Sequence, residues 1–160
     1  MLINCVAYEG GKKLADIQPG DIHSFVCKPE CFVWVAMFEP AREELEAMHR
    51  EFDLPDLAVE DALHGHQRPK IEEYGDTLFA VLQIVETVNK DLNIGEVDVF
   101  VGRNYVLSVR SRTQHGFLGV RERSIMLSQI LCSVTMPKGT RCWLLSRTTT
   151  DCLGEFPISS

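Results

Sequence analysis

The chain has 160 residues, 45% of them hydrophobic, which is enough for one core and leaves no room for two large ones. A formal net charge of −7 denies it the basic footprint that phosphate backbones select, so nucleic acid is excluded as a partner. The longest apolar run, "CFVWVAMF", falls far short of the roughly 20 residues of a spanning helix, and the lysines of "MLINCVAYEGGKK" follow its apolar part; the sequence as written reads as soluble and cytosolic, with no membrane span.

In chain order, "LINCVAY" and "KLADI" alternate as two antiparallel strands around Gly10 and Gly11, which supply the positive backbone angles of a tight hairpin. "PGDIHSF" is a turn or one short helix. "CFVWVAMF", residues 31–38, is so continuously apolar that a central strand covered on both faces is predicted, with Trp34 in the core. Glu39-Pro40 opens a helix with proline in its first turn; Ala41, Leu45, Met48 and Phe52 then fall on one stripe that must lie on a sheet.

A second helix restarts after Pro55 and runs over 56–64, stopped by Gly65 and Pro69. Ala58, Val59, Ala62 and Leu63 make its apolar side, and the spacing places Glu60, Asp61 and His64 together on the other. "KIEEY", "TLFAVLQIVETV", "EVDVFVG" and "YVLSVR" are successive strands separated by the linkers "GD", "NKDLNIG" and "RN". The fold class is α/β in the α+β sense: a mixed, largely antiparallel sheet packed with helices. "HGFLGVRERS" begins a further helix.

Composition changes near Ser124. Residues 124–160 hold only Lys138, Arg141, Arg147, Asp151 and Glu155 of the chain's 39 charged residues, with no sustained period. Two regions follow, a domain over 1–123 and an atypical tail over 124–160.

Six cysteines (5, 27, 31, 132, 142 and 152) form no C-x-x-C pair, and Cys27 and Cys31 read as ordinary thiols rather than zinc ligands. Glu60, Asp61 and His64, with His66 beyond, have spacing that permits a divalent site, hard Mg2+ for the carboxylates or Zn2+ and Co2+ if imidazole joins; on spacing alone a solvated polar face is the better account. In "HQRPK" the rigid proline holds Gln67 and Arg68 at the mouth of a strand, where Arg68 can pair with a local acid. No nucleophile, enclosing pocket or phosphate loop is evident, so the chain is read as no enzyme.

The order L-x-x-E-D-x-L-x-x-x-Q-R-P-K-x-E-x-Y from Leu57 to Tyr74, set between "WVAMFEPAREELEAMHREF" and "EVDVFVGRNYVLSVR", resembles the cytosolic amino-terminal domain of the CorA family of magnesium and cobalt transporters. The resemblance covers Met1 to about Arg123. It implies a mixed sheet between helical layers, a homopentamer in a bacterial-type plasma membrane with this domain in the cytoplasm, and weak regulatory sensing of Mg2+, with Co2+ as the other candidate ion. It implies that Asp61, with Glu60 beside it, is the amino-terminal carboxylate of that site, His64 and His66 being bystanders. Gln67, Arg68, Pro69, Lys70, Glu72 and Tyr74 are then family-motif residues with a structural role. Past Ser124 the family's stalk, pore helix and Gly-Met-Asn signature have no counterpart, so the expectation is a truncated, frame-shifted product that does not conduct ions and leaves an apolar sheet face open. A zinc transporter of the related ZntB type and a stand-alone ligand-binding or adaptor domain are the alternatives.

Overall fold

The structure is a computed structural model that describes residues 1–10, 12–28 and 30–113. The helix predicted from His115 and the tail over 124–160 lie outside the described residues. Seven strands form one sheet: β1 (Leu2–Glu9), β2 (Lys12–Asp16), β3 (Cys31–Phe38), β4 (Lys70–Tyr74), β5 (Thr77–Val88), β6 (Asp91–Val101) and β7 (Tyr105–Ser111). Their order is β2-β1-β3-β7-β6-β5-β4, and every neighbouring pair is antiparallel except β3 with β7. The sheet is thus an amino-terminal three-stranded unit joined to a four-stranded meander by one parallel seam.

Among the described residues three α-helices occupy the connections: α1 (Ile22–Val26), α2 (Arg42–Phe52) and α3 (Asp56–His64). The predicted stripe on α2 buries Leu45, Met48 and Phe52 against the sheet. Pro40 stands one residue before the N-cap Ala41, so it precedes the first turn and does not occupy it. In place of a capping side chain, Glu44 reaches back to accept the Ala41 N–H at 2.8 Å and also binds the amino terminus at 2.9 Å, which holds its carboxyl below the usual range. α3 spans the predicted residues and buries Ala58, Val59 and Ala62. These side chains meet Val33, Val35, Phe79, Val81, Phe100, Leu107 and Val109 in one cluster, where Phe52 stacks on Tyr105 at 4.3 Å between ring centroids.

Two further expectations are corrected. Trp34 is only half-buried; it lies on the sheet face opposite the helices, where its Nε1 donates to Ser108 Oγ at 3.3 Å. On that face Val6, Tyr8, Phe32 and Leu78 are buried, while elsewhere on the sheet Val85, Leu92 and Ile94 of the β5–β6 hairpin are exposed. The linker read from "NKDLNIG" is mostly strand: β5 and β6 pair as far as Val88 with Asp91, and the turn is Asn89-Lys90 alone, with φ of 51° and 75°. Two positive φ angles are what a two-residue turn of matching twist needs.

Candidate functional site

The strand period of two places Lys70, Glu72 and Tyr74 on one face of β4, the face that looks towards α3, since Lys70 pairs with Val81, Glu72 with Phe79 and Tyr74 with Thr77. Asp61 comes to them from α3. Lys70 Nζ donates to Asp61 Oδ2 at 2.7 Å and lies 2.8 Å from Glu72 Oε2, while the Tyr74 hydroxyl donates to the same Glu72 oxygen at 3.0 Å. The ammonium also stands 5.8 Å from the centre of the Phe79 ring. Hydrogen bonds to Asp61 and then to Glu72 raise the Lys70 pKa; the ammonium, followed by the Tyr74 hydroxyl, lowers that of Glu72. Burial and then Glu72 push the Tyr74 phenol up.

Successive residues on a helix are about 100° apart, and that separates the two acids predicted to project together. Glu60 is exposed and lines a groove between α2 and α3 with Arg42, Glu46, His49 and His64, whereas Asp61 turns towards β4. His64 Nδ1 is engaged by the backbone carbonyl of Glu60 at 2.8 Å, and His66 is exposed at φ 59°. The pairing expected of Arg68 falls instead to Lys70, two residues on; Arg68 and Pro69 are exposed, and the backbone of Gln67 does the anchoring. Its N–H donates to Glu96 Oε2 at 2.9 Å and its carbonyl accepts from Gln83 Nε2 at 3.3 Å.

Two members of this neighbourhood escape a reading of the sequence alone. In "EVDVFV" the alternation sends valines to one face and Glu96, Asp98 and Phe100 to the other, and a polar residue alternating with valine reads as solvent-facing. Yet Glu96 and Asp98 are both 0% exposed, on the helix-covered face. Their signal was Phe100, a core residue in the same phase. Glu96 Oε2 is also 3.3 Å from the Arg112 guanidinium, while its Oε1 and both oxygens of Asp98 have no hydrogen-bond partner among the described residues. Burial, reinforced by the charges of Glu96 and Asp61, pushes the Asp98 carboxyl up to about 7.

Chemically, the junction of α3 and β4 is a place where carboxylates gather about a cation. The Lys70 ammonium fills the space between Asp61 and Glu72, two carboxylates of a kind that suits a cation. Among the described residues no group of three or more His, Cys, Asp and Glu side chains is placed to hold a metal. A fully caged ion is therefore not what these residues offer. One or two carboxylates on an ion that keeps its waters suit Mg2+. Cys27 Sγ, exposed, lies 3.5 Å from His23 Nε2, and Cys31 is buried apart from it.

Comparison with known proteins bears on the family and the fold. Residues 29–129 match the family described as CorA-like Mg2+ transporter protein. The Bacillus subtilis (strain 168) protein named "Putative metal ion transporter YfjQ" is 32% identical over 99 residues, which is 61% of this chain and 30% of that protein. The full-length CmaX structure superposes with a TM-score of 0.65 at 16% identity, over 95% of this chain and 46% of that one. The complete CorA magnesium transporter of Methanocaldococcus jannaschii gives 0.60 at 14% identity, with the same coverage of 95% and 46%. The last two likenesses establish the fold, and the chain spans under half the length of each of these three proteins.

Proposed function

The chain belongs to the CorA-like Mg2+ transporter protein family, and from that premise we propose that its described residues form the ion-responsive, non-conducting unit of a divalent metal transporter. Among the described residues no helix is long and apolar enough to cross a membrane, which supports assigning this unit to regulation and the ion path to other parts of the transporter. The regulatory ion in this reading is Mg2+, with Co2+ as its substitute, bound weakly through Asp61, while the exposed Glu60 adds negative charge on the adjoining helix face. The assembly in which it works is a homopentamer in a bacterial plasma membrane, this unit facing the cytoplasm. Neutralising acids on this surface lets subunits approach, and loss of the ion lets them repel.

The observation that carries the reading is the convergence of the Asp61 and Glu72 carboxylates on one cation, with Asp61 27% exposed on its side chain and so within reach of a solvated ion. Zinc is the competing cargo, and the donors speak for magnesium. Zinc prefers sulfur and nitrogen in closed tetrahedral sets, whereas the groups gathered here are carboxylate oxygens.

The test is the melting temperature and sedimentation of the chain in EDTA and in millimolar Mg2+ or Co2+, with Asp61→Ala beside the wild type. A ligand that binds only the folded form raises its stability, so Mg2+ should raise the wild-type melting temperature and leave the variant unmoved. An equal response in both proteins, or none in either, removes Asp61 from the role.

A further inference from the structure

We propose that the Lys70 ammonium is a tethered competitor: it occupies the cation position between Asp61 and Glu72, and a divalent ion must displace it to bind there. The inference rests on the reading of Asp61 given above and deepens it, by naming what sets the ion threshold.

The two contacts of Lys70 bring the Asp61 and Glu72 oxygens within about 5.5 Å of each other, the two contact lengths together. Carboxylates that close repel unless a cation lies between them, so something must fill the gap at all times. Lys70 fills it from within the chain. Its side chain is 28% exposed, and the stem is long and flexible, so the ammonium can leave for water without disturbing the backbone of β4.

A second observation is that a buried, unpartnered carboxyl lies beside this position even with Lys70 in place. Asp98, fully buried and with no partner for either oxygen among the described residues, is influenced by Asp61, Glu96, Lys70 and Arg112 together. Even with Asp98 holding its proton, three carboxylates (Asp61, Glu72 and Glu96) stand against two cations, Lys70 and Arg112. A single ammonium offsets one unit of that surplus and a divalent ion two. Exchange is therefore favourable once free divalent ion is abundant, and unfavourable when it is scarce, because the wild-type gap is never empty. The exchange breaks and makes no covalent bond: the ion takes one or both carboxylates, keeps most of its waters, and the ammonium goes to solvent. A site that must first expel its own cation responds only at high ion concentration.

The experiment titrates the 160-residue chain with MgCl2 at constant ionic strength, read by calorimetry and by melting temperature, for the wild type, Lys70→Gln, Lys70→Met, Lys70→Arg and the double variant Lys70→Gln with Asp61→Asn. Lys70→Gln should melt lower than the wild type in EDTA and bind Mg2+ at least roughly tenfold tighter. Lys70→Arg should keep the wild-type midpoint, and Asp61→Asn should abolish the gain. If Lys70→Gln is unfolded in EDTA, its folding should return with Mg2+ and not with Na+ of equal ionic strength, and Lys70→Met, which keeps an unbranched stem without the charge, should behave alike. A neutral variant that binds Mg2+ no tighter than the wild type, or a gain that survives Asp61→Asn, overturns the proposal. A response confined to the neutral variants upholds the competitor while defeating the reading that the native chain senses Mg2+.

Discussion

The carboxylate of Glu96, fully buried on β6, accepts the backbone N–H of Gln67 at 2.9 Å and so ties the loop after α3 to the centre of the sheet. The same oxygen meets the Arg112 guanidinium at 3.3 Å. Replacing Glu96 by Ala strands both partners at once. Bonds to a charged group of this kind are worth about 1.5–3 kcal/mol, so Glu96→Ala should lower the unfolding free energy by about 2 kcal/mol or more in a urea titration. A loss below the scatter of the method would show that the loop is not held here.

Asp98 gives a pH dependence whose direction is fixed by its environment. Burial, then Glu96 and Asp61, raise its folded pKa from 3.8 to about 7. Between those values the folded chain holds a proton that the unfolded chain has released, so this group makes stability fall as pH rises, and its contribution levels off above pH 7. The full effect is on the order of 4 kcal/mol. Asp98→Asn should flatten the slope and, in urea titrations above neutral pH, prove more stable than the wild type. Parallel pH profiles for the two proteins would show that Asp98 titrates normally.

Gly102 closes the β6–β7 turn through its N–H to the Tyr105 carbonyl at 3.0 Å, and a Cβ added there would run into the Tyr105 ring. That ring is 5% exposed and stacked on Phe52. Gly102→Ala should therefore cost about 1–3 kcal/mol by overpacking, seen as a lower melting temperature and as a shift of the Tyr105 ring resonances. Unchanged resonances would place the new methyl elsewhere.

Lys90, at φ 75°, occupies a position in the Asn89-Lys90 turn that glycine fills at no steric cost. Lys90→Gly should raise stability by about 0.5–1 kcal/mol, measured by thermal unfolding. A loss of stability would mean that the lysine side chain contributes more than its backbone strain costs.

Much of this architecture was legible because local patterns and tertiary burial agree. The stripe Leu45, Met48, Phe52 and the stop at Gly65 placed both longer helices, and the apolar run 31–38 placed β3 at the centre. Misreadings arose where burial is decided by partners far away in sequence. "NKDLNIG" has the composition of a loop, but pairing with β5 carries it into the sheet, leaving Leu92 and Ile94 exposed on the long hairpin. Trp34 looked like core by hydrophobicity, yet its parity puts it opposite the helices. Asp61 and Lys70 both stand in the motif, but nothing in it pairs them: helical spacing suggested Glu60 beside Asp61, whereas the strand period delivers Lys70. Glu96 and Asp98 were missed because buried acids carry the same alternating pattern as exposed ones.

The single parallel seam has a consequence for how the molecule is made. Val33 pairs with Tyr105, about 70 residues later, whereas the meander closes through short turns. A nascent chain that has emerged only as far as β6 holds two half-sheets, each with an unpaired inner edge, one on β3 and one on β6. Open edges of that kind recruit other chains. Emergence of Tyr105–Ser111 seals both at once, so the interval before β7 leaves the ribosome is the period in which crowded polysomes place this protein at greatest risk of aggregation.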